Sequence, residues 1–163
     1  MCGIVGYLGF RDPAEVIIKG LKRLEYRGYD SAGIAFHSKD GLSVKKCSGK
    51  VKELESLIDH DETKNYNLGI GHTRWATHGV PNDTNAHPHV DHYGKFTLVH
   101  NGIIENYATL KKHLSDNGIE CKTDTDTEVL VQFISYLYEQ EALSFTDAVR
   151  LALKEVVGAY GIA

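Results

Sequence analysis

The chain opens Met1-Cys2-Gly3-Ile4-Val5-Gly6. Cysteine is small enough for the initiator methionine to be trimmed from in front of it, which would leave a thiol and a free α-amine on one residue. A thiol ordinarily titrates near about 8.5 and an α-amine near about 7.7–8.0, so close to neutral pH part of the amine is free to accept the thiol proton. Cys2 would then be a nucleophile that carries its own base. With Met1 in place the Cys2 nitrogen is an amide and that base does not exist. The alternative for Cys2 is a small residue at the start of a strand.

A thiolate that attacks an amide needs donors aimed at the oxyanion that develops. Asn101 offers a side-chain NH2, and Gly102 offers a backbone N–H with no Cβ in the way. The same Asn-Gly pair is also a turn signal. An amino-acid substrate adds two demands. Its carboxylate calls for a planar bidentate cation, for which Arg74 is the right type, and its ammonium calls for a carboxylate, for which Asp126 is a candidate. Asp126 could instead cap a helix beside Thr125 and Thr127. Trp75, the only tryptophan, could fold over a small ligand or be a half-buried anchor. His87, His89 and His92 lie close together, but in a loop without added cysteines, so the spacing predicts no metal site. His72 and His100 fall at strand ends and are expected to make structural hydrogen bonds.

The elements that must hold these groups can be read from pattern. Residues 2–10 form an apolar strand. Asp12-Pro13-Ala14-Glu15 opens a helix that runs to Leu24, with Glu15 three residues past the cap. Segments 31–37 and 42–48 make a hairpin. A helix is expected over 51–60, and strands over 68–73 and 95–100. Between those two strands residues 74–94 are long, polar and irregular, the kind of loop that carries function. Residues 101–106 turn into a helix that ends near Gly118. Helices follow at about 127–140 and 146–157, the last capped by Ser144 and ended by Gly158, and residues 159–163 begin a further strand. A chain that stops within an apolar strand reads as a piece of a longer protein, with strands missing from its sheet.

Composition narrows the partners. The 163 residues suffice for one domain, 42% of them are apolar and the net charge is −4. That charge argues against nucleic acid or an anionic membrane, both of which need a basic footprint. No apolar run has the length of a membrane span, and the N-terminus does not read as a secretory signal. Cys2, Cys47 and Cys121 are odd in number and at no metal-like spacing, which fits a reduced, cytoplasmic setting; Cys47 and Cys121 are expected in strands.

Five segments taken in order resemble one family: Cys-Gly-Ile-Val-Gly from residue 2, Arg-Gly-Tyr-Asp-Ser-Ala-Gly from 27, Gly-His-Thr-Arg-Trp-Ala-Thr-His-Gly from 71, Asn-Gly-Ile-Ile-Glu-Asn from 101, and Thr-Asp-Thr-Glu from 125. Together they resemble the glutaminase domain of class II glutamine amidotransferases, and within that class its sugar-phosphate branch. The resemblance spans the whole chain, residues 1–163. It implies an α+β fold, the four-layer α/β/β/α sandwich of N-terminal-nucleophile hydrolases, here incomplete at the C-terminus. It implies that Cys2 attacks the side-chain amide of glutamine, and that Asn101 and Gly102 form the oxyanion hole. Arg74 would hold the substrate carboxylate and Asp126, with the Gly102 carbonyl, the ammonium. For Thr77 and His78, shaping the carboxylate wall, and for Arg27, buttressing the nucleophile's pocket, the resemblance is the only warrant. So it is for a closing loop from Arg74 to about Pro81 that carries Trp75. No metal or organic cofactor is implied. The partner would be a C-terminal sugar isomerase domain, in a homo-oligomeric full-length enzyme. A different ammonia acceptor, or a silent fragment that only binds glutamine, stays open.

Overall fold

The structure, a computed structural model, describes residues 2–38, 41–75, 80–140 and 142–163. Strand β1 (Gly3–Leu8) leads into helix α1 (Pro13–Leu24) and a 3-10 turn (Glu25–Arg27). The hairpin β2 (Ser31–Ser38) and β3 (Gly41–Ser48) follows, then α2 (Val51–Ser56), α3 (His60–Thr63) and β4 (Leu68–Arg74). After them come β5 (His89–Val90), β6 (Thr97–Leu98) and β7 (His100–Ile104). Helices α4 (Tyr107–Asp116), α5 (Asp126–Gln140) and α6 (Phe145–Glu155) precede β8 (Gly158–Ile162).

Four layers result. Helices α1 and α2 cover one face of an antiparallel sheet of order β1-β4-β2-β3. The other face of that sheet meets the ribbons β5–β6 and β7–β8, which α4, α5 and α6 back. The α+β sandwich expected from the sequence is therefore present, although its second layer is two short ribbons. Helix α1 starts as its sequence dictates: Asp12 accepts from the Ala14 N–H at 2.9 Å, and Pro13 needs no donor partner. It buries Ala14, Ile17, Ile18 and Leu21 against Ile34, Phe36 and Leu54. Glu15 does not close a capping box; it pairs with Lys19 one turn on. The second core joins Leu110, Leu114, Val129, Leu130, Phe133 and Ile134 from α4 and α5 with Ala148 and Ala152 from α6.

Several expectations need correction. The helix over 51–60 is two pieces, because Asp59 caps a new turn by accepting from the Asp61 N–H at 2.9 Å. The strand over 95–100 splits at Val99. The turn expected at Asn101-Gly102 is the middle of β7, opposite Gly161 and Tyr160 of β8. Gly158 does not end α6; Val156 is already extended and Gly158, with φ +142°, begins β8. Cys47 lies in β3, but Cys121 lies in the connection between α4 and α5, where burial pushes its thiol up to about 11. The irregular stretch is not a surface loop throughout. Residues 85–89 are buried, and Asn85 fixes them by donating to Val80 O at 3.0 Å and to Asp124 at 3.3 Å.

Between the two cores lies a polar layer. His72, His87, His89 and His100 are all buried there. His87 Nε2 meets Thr127 Oγ1 at 2.7 Å, His100 Nδ1 meets the same hydroxyl at 2.9 Å, and His89 Nε2 meets Thr125 Oγ1 at 3.1 Å. Gly33 is required beside them, since a Cβ there would stand 2.0 Å from the His87 carbonyl oxygen. Burial lowers the His72 pKa to about 4 and pushes His87 and His89 well below their ordinary range, so all three are neutral at pH 7.

Linkage fixes the sign of the consequence. Below about pH 6.5 the unfolded chain takes up a proton at each of these imidazoles and the native chain does not, so falling pH favours unfolding. Between pH 7 and 5.5 we predict a loss of about 1 kcal/mol per histidine, read as a falling urea midpoint at constant slope. A midpoint that holds steady over that interval contradicts the neutral assignment.

Candidate active site

Cys2 immediately precedes β1, and β1 runs antiparallel to β4 with Gly3 opposite Thr73. That register sets Cys2 beside the end of β4, where the chain continues into Trp75. The Trp75 N–H donates to Cys2 Sγ at 3.2 Å, and the thiol in turn reaches the Trp75 carbonyl at 3.6 Å. From the other sheet, Asn101 Nδ2 donates to the Cys2 carbonyl at 3.2 Å. The nucleophile candidate and the amide candidate are thus in direct contact, although 99 positions separate them in the chain.

Gly102 is needed where it stands. Its φ is +129°, and a Cβ would sit 2.2 Å from the Ala159 carbonyl oxygen. Glycine alone lets β7 turn its backbone this way and still pair with β8.

Cys2, Arg27, Trp75, Asn101 and Gly102 line one cavity of about 550 Å³, together with Ile103, Ala159 and Tyr160. The first five are sequence candidates. Ile103 lies in the marked segment from residue 101 but was given no role, and Ala159 and Tyr160 were missed, because nothing in a strand following α6 signals that it closes a pocket begun at residue 2. A more apolar cavity of about 350 Å³, between Phe36, Leu68, Phe96 and Phe145, offers no thiol or carboxylate among its described lining residues.

Arg74 and Asp126 are not among the residues that line the cavity containing Cys2. Arg74 is buried; its pKa is lowered by that burial, against the opposing pull of Cys2, Asp126 and Asp30. The buried Asp126 accepts the Ile104 N–H at 2.9 Å, and its other oxygen lies 3.9 Å from His100 Nδ1. It does not cap α5. Thr125 does so, accepting the Glu128 N–H at 3.2 Å, which leaves the Asp126 carboxylate turned toward β7. Trp75 is half-exposed and packs edge-on to Tyr29, with ring centroids 5.5 Å apart. Tyr29 belongs to the segment from Arg27 that the sequence marks, but was given no role at the site. Thr77 and His78 lie outside the described residues. His87 and His89 are engaged with threonines in the polar layer, while exposed His92 packs on Tyr93.

The geometry has counterparts among known proteins. A family model described as a glutamine amidotransferase domain matches residues 59–146, more than half of the chain. A glutamine–fructose-6-phosphate aminotransferase (isomerizing) of Bacteroides thetaiotaomicron is 55% identical over the whole chain, which spans 26% of that protein. The Pyrococcus horikoshii protein of the same name is 52% identical over 99% of the chain, which spans 27% of it. Among solved structures, the glutamine phosphoribosylpyrophosphate amidotransferase from B. subtilis, complexed with ADP and GMP, superposes with a TM-score of 0.83 at 27% identity. That match covers 99% of this chain and 34% of the other. The chain thus spans about a quarter of the curated relatives it resembles. The fold is that of the N-terminal-nucleophile hydrolases.

Gly102→Ala tests the strained crossing. We predict destabilisation by about 2 kcal/mol or more, because the substitution meets both the positive φ and the Ala159 carbonyl. Thermal unfolding measures it, and an unshifted midpoint would show that β7 and β8 do not pack as described.

Proposed function

The chain belongs to the glutamine amidotransferase domain family, and from that premise we propose that it hydrolyses the side-chain amide of glutamine with Cys2 as nucleophile. The observation that carries this reading is the contact between Cys2 and Asn101, on one cavity with Gly102 and Trp75. With Met1 removed, the Cys2 amine takes the thiol proton. The sulfur then bonds to the amide carbon, and the carbonyl electron pair moves onto oxygen. Asn101 Nδ2–H and the Gly102 N–H stabilise that oxyanion. The tetrahedral species collapses with cleavage of the C–N bond, and the leaving nitrogen takes the proton held by the amine and departs as ammonia. Water, deprotonated by the same amine, attacks the thioester, releasing glutamate and restoring the thiol.

Arg74 receives the substrate carboxylate and Asp126 its ammonium. Both are buried groups of the right charge, Arg74 within electrostatic range of Cys2 and Asp126, and Arg27 supports the cavity wall. Trp75, edge-on to Tyr29, covers the bound amino acid, and the neighbouring Thr77 and His78 complete the carboxylate wall. No metal or cofactor enters these steps.

Residues 1–163 act as one glutaminase domain. In the full-length protein the ammonia passes to fructose 6-phosphate on a sugar isomerase domain, giving glucosamine 6-phosphate. The 55% and 52% identities to aminotransferases of that name, against 27% to the phosphoribosylpyrophosphate enzyme, support this acceptor. The resemblance to the family supports a homo-oligomeric full-length enzyme. A cytoplasmic setting is supported by the three free cysteines, and no described helix is long and apolar enough to cross a membrane.

Cys2→Ala is expected to abolish ammonia release from glutamine in a coupled glutamate assay. Persistent hydrolysis would remove Cys2 from the mechanism. Arg74→Ala is expected to raise the glutamine KM roughly tenfold to a hundredfold by deleting a charge-assisted pair, and Arg74→Lys to recover little of it. An unchanged KM would place the carboxylate elsewhere. Intact mass reads Met1 removal, and an active protein that retains Met1 would exclude the amine as base.

A further inference from the structure

One buried contact of the site has no role in the steps above. His72 Nε2 lies 2.8 Å from Asn101 Oδ1 and 3.1 Å from the His100 carbonyl oxygen. We propose that His72 is the positioning residue of the oxyanion hole: its Nε2–H holds Asn101 Oδ1, so that the Asn101 amide nitrogen is kept turned toward Cys2. The proposal rests on the reading that Asn101 stabilises the oxyanion.

A backbone carbonyl only accepts, so a ring nitrogen 3.1 Å from His100 O must carry its hydrogen. That fixes the Nε2–H tautomer. An N–H so placed forces Asn101 to present oxygen, because a flipped amide would set N–H against N–H. Nδ2 is then left for the Cys2 side, where it meets the Cys2 carbonyl at 3.2 Å. A backbone carbonyl of one sheet thereby orients a side-chain donor on its own neighbour by way of an imidazole from the other sheet.

The ring is held rigidly enough for this. His72 sits in β4, paired on both sides, opposite Ile4 of β1 and Gly33 of β2. Its face stacks on His87, with centroids 4.3 Å apart and planes 25° apart, and His87 is itself fixed on Thr127. A proton on His72 Nδ1 would find no acceptor among the described residues. Burial also keeps the ring uncharged down to about pH 4, so the neutral ring persists at pH 7.

Two measurements test the assignment. Long-range 1H–15N correlation of the unmodified protein reads the tautomer; a hydrogen on His72 Nε2 is expected, and one on Nδ1 overturns the proposal even if no variant folds. In kinetics, H72F keeps a ring and removes the donor. It is expected to lower kcat roughly tenfold to a hundredfold, toward the loss of one oxyanion donor, while the glutamine KM stays within about threefold. The rate of Cys2 alkylation by iodoacetamide, which needs no oxyanion hole, is expected to match the unmodified protein. H72Q, which returns an N–H near the same point, is expected to recover a large part of kcat. H72F combined with Asn101→Ala is expected to be no slower than Asn101→Ala alone. A kcat for H72F within threefold of the unmodified protein, or additive losses in the double variant, overturns the proposal. Failure of the underlying reading looks different: Asn101→Ala alone would keep the kcat of the unmodified protein, whatever His72 does.

Discussion

Residue 2 and residue 101 have to meet, and the rest of the molecule is arranged around that requirement. A hydrogen bond from Asn101 Nδ2 to the Cys2 carbonyl spans the two sheets at the point where a thiol, an amide nitrogen and a side-chain-free backbone share one cavity. Strand β4 enforces it. β4 pairs with β1 and so fixes where Cys2 emerges, and the chain beyond it delivers the Trp75 N–H to the sulfur. Residues two apart on a strand share a face. His72 and Arg74 therefore leave β4 on the same side, one reaching Asn101 and the other within electrostatic range of Cys2 and Asp126.

Most two-layer cores are closed with apolar side chains. Here the layer between the sheets is polar, and that choice has a thermodynamic cost. Four imidazoles and two threonine hydroxyls are removed from water, and each must find a partner or remain neutral. The apolar cores on either side, around α1 and around α5, offset this. The return is directional: His72 bonds across the sheets to Asn101 and the His100 carbonyl, and the other three imidazoles tie the chain around β5 and β7 to the threonines at the start of α5. Gly33 makes the same point sterically, since its missing Cβ admits the His87 carbonyl and so sets the spacing of the layers.

How much of this was legible in the sequence depends on how local each signal was. The type of each catalytic candidate was readable, because chemistry limits what a nucleophile, an oxyanion donor or a carboxylate clamp can be. The local structure around Asn101 and Gly102 was misread. Asn-Gly favours a turn, yet pairing with β8, about sixty residues downstream, converts the position into a strand with one left-handed residue. For Asp126 the sequence left two roles open, and only the structure shows Thr125 taking the cap. His72 was recognised as a hydrogen-bonding histidine, but its partner lies across the sandwich and no spacing rule reaches that far. The break at Asp59 and the loop position of Cys121 are failures of a different kind, where a local capping residue or a short connection replaced the element expected.

The central claim is that the sulfur of Cys2, and no other, meets the glutamine amide carbon. The direct measurement is to treat the protein with a glutamine analogue bearing an electrophilic ketone at the amide position, and to map the adduct by peptide mass spectrometry. One label per chain is expected, on Cys2, with glutamine protecting against it. A label on Cys47 or Cys121, or labelling that glutamine does not suppress, would contradict it.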